Sequence, residues 1–253
     1  PTPAPLPVHR PPTPMSPALV CHRGLWHEPR EKNTLAAFQA AVSHGYGVEL
    51  DVRMRRGQVV VAHHPAETPK APTLGEALDA MAEQATRDGW TPRLIVDVKE
   101  AAAQIPTARV LRSTPWSDGR EPPHLVLRSD APAVPGLPEA LTPKVAFTEA
   151  RSWPDREAFR QPEGHRIAYG DAFFSGPTDW RSQACVETLV AEGFYPILTS
   201  DEVYGRRPRI REQASNWQSA YAIVTDLPDA YRRVFEAGHR RGPDGPTAPH
   251  RRV

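Results

Sequence analysis

Val48-Glu49-Leu50-Asp51-Val52 and, further on, Leu94-Ile95-Val96-Asp97-Val98-Lys99 are the two stretches that decide how this chain is read. Both are apolar, β-branched runs of the kind that form buried strands, and both are interrupted by acidic residues. Successive side chains of a strand point to opposite faces, so Glu49 and Asp51 share one face, as do Asp97 and Lys99. Two ionised carboxylates in apolar surroundings repel each other and cost on the order of several kcal/mol to desolvate, unless a cation or hydrogen-bond donors lie between them. If the two strands are neighbours, Glu49, Asp51 and Asp97 gather about one point. That suits one hard divalent cation, Mg²⁺ or Ca²⁺, held by oxygen ligands. Lys99 beside them suits a substrate phosphate, as a point charge. Two plainer arrangements account for the same residues: one carboxylate of the first pair caps a helix while the other meets an arginine, and Asp97 forms a structural salt bridge with Lys99.

Outward from these stretches, short apolar runs alternate with helical patterns, the signature of repeated β-α units and a parallel sheet. The runs predict strands at Ala18 to His22, Gly47 to Val52, Arg93 to Val98, His124 to Arg128, Lys144 to Phe147, Arg166 to Tyr169, Phe194 to Leu198 and Tyr221 to Thr225. Eight is the number that a closed (β/α)₈ TIM barrel needs, and the fold expected is α/β of that kind. An extra strand at Gln58 to Ala62 folds back through a turn at Arg56 and Gly57. Helices are expected at Thr34 to Ser43, at Thr73 to Ala85 with a Thr73/Glu76 capping box, at Asp179 to Glu192 and at Pro228 to Ala237. Thr107 to Pro143 is Pro-rich with weak helix signals, and an open doubly wound sheet is the alternative there.

The chain has 253 residues, of which 39% are hydrophobic, enough for one large core. Many of its 30 prolines crowd residues 1–17, read as a disordered arm, and residues 238–253 read as a flexible basic tail, leaving a folded unit at 18–237. A net charge of +1 speaks against a dedicated nucleic-acid or membrane-surface binder and for a small polar or anionic substrate. No run of about 18 apolar residues marks a transmembrane segment, and no signal peptide is recognisable. Cys21 and Cys185 fall far apart, in a strand and a helix, which suggests reduced thiols and a cytoplasmic setting. Because the sequence begins at Pro1 rather than Met, secretion after removal of a leader stays open.

The histidines supply the remaining chemistry. His22 closes the first strand in Cys21-His22-Arg23-Gly24, and His63 and His64 follow the apolar run Val59 to Ala62. Alternation along an extended chain lets only one of His63 and His64 face a common pocket. Displacement at a phosphodiester needs one group to deprotonate the nucleophile and another to protonate the leaving oxygen, and two strand-end imidazoles meet that need. Arg23 suits the phosphoryl oxygens, and Gly24 allows a sharp turn beside it.

In order along the chain, His22-Arg23-Gly24, Glu31-Lys32-Asn33-Thr34 before Leu35-Ala36-Ala37-Phe38, Glu49-Leu50-Asp51, His63-His64-Pro65, Asp97-Val98-Lys99 and Thr225-Asp226-Leu227-Pro228 resemble the motifs of the glycerophosphodiester phosphodiesterases: H-R-G, P-E-N-T, E-x-D, H-D, E-x-K and T-D-x-P. Each motif alone is weak, but six in sequence over almost the whole folded unit are specific. The resemblance implies a barrel hydrolase acting in lipid metabolism on a glycerophosphodiester, with two catalytic histidines and one divalent metal. Carried over by position, it implies His22 and His63 as the acid/base pair, Glu49, Asp51 and Asp97 as metal ligands, and Arg23 and Lys99 as phosphate contacts. In that family a substrate hydroxyl beside the phosphate can act as nucleophile and give a cyclic phosphate.

Three motif positions that touch the presumed site depart from the pattern: Lys32 stands for Glu, His64 for Asp and Asp97 for Glu. Asp97 is one methylene shorter, so its strand must lie closer to an ion or a water must fill the gap. Lys32 inverts a charge, which either weakens cation affinity or adds a contact for a more anionic substrate, while Asn33 remains as a neutral oxygen ligand. The seventh strand carries Ile197-Leu198-Thr199-Ser200 in place of a Trp-Thr-x-Asn run, removing an aromatic wall. Three readings follow: a metal-dependent phosphodiesterase with a specialised substrate, a lyase that stops at the cyclic phosphate, and a barrel that binds a phosphorylated ligand without turnover.

Overall fold

The computed structural model of the protein describes residues 16–112, 114, 124–129, 131–137, 145–149, 167–170 and 182–239. Apart from residues 16–17 and 238–239, the expected arm and tail lie outside the described residues. Among the described residues nine strands form one sheet: β1 (Ala18–His22), β2 (Gly47–Arg55), β3 (Gln58–Val61), β4 (Leu94–Val98), β5 (Leu125–Ser129), β6 (Val145–Glu149), β7 (Ile167–Gly170), β8 (Tyr195–Thr199) and β9 (Ala222–Thr225). Eight of them run parallel in the order β6-β5-β4-β2-β1-β9-β8-β7, and β3 pairs antiparallel with β2. First and last strands meet at β1 and β9, as a closing barrel requires. On the far side the Thr148 hydroxyl of β6 donates to the Ile167 carbonyl of β7 at 3.4 Å.

The architecture is the expected α/β TIM barrel. Val20, Ile95, Val126, Ile167, Ile197 and Val224 fill its interior. The opposite faces of the same strands pack against α1 (Leu35–Ser43), α2 (Leu74–Asp88), α3 (Gln104–Arg112), α4 (Gln183–Ala191), α5 (Ile210–Asn216) and α6 (Pro228–His239). The Thr73/Glu76 capping box at the start of α2 is present. Arg56 and Gly57, both left-handed with φ of 47° and 80°, turn β2 into β3, the geometry that matches the twist of a two-residue hairpin.

Two elements differ from the sequence reading. α3 forms where helix signals are weak, because Pro106 falls in the first turn, where its missing N–H costs no helical bond, and Ala108 and Leu111 bury one face. α5 is too short to show a helical period, and it is held by burial of Ala214 and of Trp217 just beyond its end. Cys21 and Cys185 are both free thiols. Among the described residues no helix is long and apolar enough to cross a membrane.

Candidate active site

The C-terminal ends of β1, β2 and β4 meet at one rim, the end at which barrel enzymes carry their chemistry. Register decides what meets there, since His22 lies beside Glu49, and Asp51 beside Asp97. Ligand oxygens of Glu49, Asp51 and Asp97 all lie within 4.8 Å of one another, and all three residues are buried. The gathering expected from alternation on two neighbouring strands is therefore present.

The plainer ion-pair reading is present as well. Arg23 Nε lies 2.7 Å from Asp51 Oδ2, and Lys99 Nζ lies 3.0 Å from Asp51 Oδ1 and also contacts Asp97. Asn33 Nδ2 donates to Asp51 Oδ2 at 3.1 Å. Arg128 of β5, opposite Asp97 in register, contacts the Asp97 carboxylate while its guanidinium stands 4.8 Å from the Tyr169 ring centroid. Burial alone would raise the Asp51 pKa, but Lys99 and Arg23 outweigh it and hold this carboxyl well below the ordinary range. Burial would likewise lower that of Lys99, yet Asp97 and Asp51 keep the ammonium charged.

Glu49 is different. Among the described residues it meets no cationic side chain at ion-pair distance, and its Oε2 accepts only the Arg23 N–H, at 3.2 Å. Burial, then repulsion from Asp51, push its pKa up to about 7. Three hard oxygen donors, one of them short of positive charge, fit a divalent cation.

The loops that carry Arg23 and Asn33 are tightly specified. Arg23 (φ 61°) and Asn33 (φ 58°) both adopt the left-handed region, at a cost on the order of 1–3 kcal/mol for a non-glycine residue. The Arg23 N–H donates to the Glu49 carbonyl at 2.9 Å, and the Asn33 N–H to the Arg23 carbonyl at 3.0 Å, which holds both conformations in place. A Cβ on Gly24 would come within 2.8 Å of Ala37, so only glycine lets α1 approach this turn.

His22 and His63 are oriented by different means. His22 Nδ1 lies 2.8 Å from Asp226 Oδ1, so the carboxylate fixes the ring and leaves Nε2 for proton transfer. His63 lies beyond β3, which ends at Val61, in a bend held by Glu67 Oε2, an acceptor for the N–H groups of His63 (2.8 Å) and His64 (3.1 Å). Arg53 Nε donates to the His63 carbonyl at 2.8 Å. Strand alternation does not extend into this bend, and the two rings meet edge to face with centroids 4.2 Å apart, His63 Nδ1 being 3.0 Å from His64 Nε2. His63 is half-buried, and burial, with Arg23 and Lys99 nearby, lowers its pKa to about 4. His64 is exposed and lines a neighbouring cavity. Lys32 stands 4.1 Å above the Trp26 ring and 3.8 Å from Asp226, the carboxylate that also meets His22.

The model of the glycerophosphoryl diester phosphodiesterase family matches residues 22–168, more than half of the chain. The chain belongs to this family. A glycerophosphodiester phosphodiesterase of Parabacteroides distasonis has the same fold, with a TM-score of 0.63 at 16% identity over 88% of this chain and 98% of its own. A phosphodiesterase of Oleispira antarctica, solved with the product sn-glycerol-3-phosphate, reaches 0.62 at 18% identity over 87% and 97%. No curated protein sequence matches the chain. As a member of the glycerophosphoryl diester phosphodiesterase family, the chain is classed as a phosphoric diester hydrolase.

Sequence reasoning gave no role to Asp226 or Arg128. Asp226 was visible only as part of the last motif, and its contact with His22 depends on β9 closing against β1. Arg128 ends an apolar run, and its partner becomes evident only from the register between β4 and β5.

Proposed function

We propose that this chain hydrolyses a glycerophosphodiester-like phosphodiester, with His22 and His63 as the acid/base pair and Glu49, Asp51 and Asp97 as ligands of one divalent cation, Mg²⁺ or Ca²⁺. The observation that carries the reading is the convergence of the three buried carboxylates at the rim where His22 sits in register with Glu49. His63, with its lowered pKa, is neutral near pH 7 and able to accept the proton of a nucleophile. His22, held by Asp226, then serves the leaving oxygen through Nε2. Arg23 and Lys99, already pointing at Asp51, lie where phosphoryl oxygens beside that carboxylate would meet positive charge. A bound divalent ion would supply Lewis-acid stabilisation of charge on those oxygens.

A second reading rests on the charge balance. Arg23, Lys99 and Arg128 set three cations against three carboxylates, an arrangement that also suits a phosphate-binding barrel without turnover. Phosphorus NMR of glycerophosphodiesters incubated with the chain, with and without Mg²⁺, Ca²⁺ and chelator, separates the readings. Chelator-sensitive release of a phosphomonoester supports hydrolysis. A persistent cyclic phosphate identifies the lyase, and binding without any product identifies the non-catalytic barrel.

A further inference from the structure

A cavity of about 490 Å³ opens beside the site, between the turn Pro29–Glu31 and the connection from β3 to α2. Arg23 and Asn33 line it, and both also touch Asp51, so the cavity adjoins the centre described above. Among the described residues its walls carry the cations Arg23, Arg30, Lys32 and Lys70, with His64, against one acid, Glu67. That acid is held in place by two neutral donors, since the same carboxylate oxygen accepts the N–H groups of His63 and His64. Lys70 makes no ion pair among the described residues, and the Lys32 ammonium reaches its nearest carboxylate, Asp226, only at 3.8 Å.

The contrast with the neighbouring wall gives these charges a meaning. Around Asp51 and Asp97 each cation lies against a carboxylate, whereas in the cavity, where Arg23 is shared with Asp51 and Arg30 meets Glu28 at 2.8 Å, Lys32 and Lys70 face Glu67 as the one lining acid among the described residues. Like charges gathered in a concave site raise the local potential and select an anion, and they repel a quaternary ammonium or amine. Trp26 beneath Lys32 limits where that ammonium can go, holding it over the shared edge of the two sites.

We propose that this cavity is a second anion subsite, so that the preferred substrate is a phosphodiester with a further phosphate on one of its two alcohols. The proposal rests on the reading of the neighbouring centre as a phosphodiesterase site. The subsite receives the second phosphate on Lys32 and Lys70, while the diester phosphorus stays beside Arg23. It acts on binding, so its effect falls on KM rather than kcat.

Glycerophosphoglycerol and its terminally phosphorylated form provide the test, since both alcohols are glycerol and the diester can be turned to bring its extra phosphate to the cavity whichever alcohol leaves. The wild-type chain should favour the phosphorylated diester about tenfold or more in kcat/KM, a difference of about 1.4 kcal/mol. The double variant Lys32→Ala/Lys70→Ala should lose most of that preference through KM, and Lys32→Arg/Lys70→Arg should keep it. Equal kcat/KM for the two diesters, or a preference that survives the alanine pair, would overturn the subsite. If neither diester turns over, the phosphodiesterase reading fails by itself, and calorimetry of the same two compounds still decides the subsite. Tighter binding of the phosphorylated form to wild type than to the alanine pair supports it, and equal affinities overturn it.

Discussion

Two sides of the barrel mouth carry charge in opposite ways. On the wall made by β2, β4 and β5, the acids are buried and met by Arg23, Lys99 and Arg128, with Glu49 alone left short of a cation. In the adjoining cavity, where the charged lining sits on connections rather than strands, cations outnumber acids among the described residues, and two of them, Arg30 and Lys70, are exposed. The two regions answer different demands. The wall is arranged to hold charge rigidly at low exposure, which chemistry needs, and the cavity is arranged to attract an anion from water, which selection needs. Damage to the wall should therefore appear in kcat, and damage to the cavity in KM.

The largest effect expected is that of His22→Ala, which should lower kcat by about 10² to 10⁴, the range associated with loss of a positioned acid or base. A change confined to KM would place His22 with the binding residues and dissolve the contrast. Glu49→Ala should remove high-affinity binding of Mg²⁺ or Ca²⁺, read directly by calorimetry, and make the residual rate insensitive to chelator. Unchanged ion affinity would take the cation away from this wall.

Asp226→Asn keeps the size of the side chain but weakens its hold on His22. It should lower kcat about tenfold to a hundredfold with little change in KM. Arg128→Leu should raise divalent-ion affinity by about tenfold, because a cation that competes for Asp97 is gone. An affinity that stays the same would show that the guanidinium and the ion do not compete.

The smallest effect concerns pH. The carboxyl of Glu49 is raised to about 7, so a falling pH protonates it and weakens ion binding, by about tenfold per unit once below that value. His63, lowered to about 4, stays neutral over the same interval and contributes no loss there. The acid limb of activity should thus begin near pH 7 at low ion concentration and move downward when the ion is saturating. A limb fixed at the same pH under both conditions would separate Glu49 from the ion.

The wall was legible in the sequence and the cavity only in part, for a physical reason. Period-two alternation in two apolar runs is enough to put Glu49, Asp51 and Asp97 on shared faces, and parallel register then brings them together. The positions of the eight parallel strands were likewise marked by their own composition, to within a residue or two at most ends. Asp226 and Arg128 act across pairs of strands whose adjacency no local pattern reveals. His63 and His64 sit past the end of β3, where a bend held by Glu67 replaces alternation, so their edge-to-face contact was not foreseen. Lys32 stands out in the sequence as a departure from the motif, but the Trp26 ring and Asp226 that place it belong to loops with no period to read.

Manganese as a paramagnetic probe tests the common pocket most directly, through the phosphorus signal of bound sn-glycerol 3-phosphate. With Mn²⁺ at the Glu49, Asp51 and Asp97 oxygens, that signal should broaden strongly in the wild-type chain and stay sharp in Glu49→Ala, although the ligand still binds. A ligand that binds the wild-type chain with the ion present and keeps a narrow signal would put cation and phosphate in separate places, contradicting a shared centre.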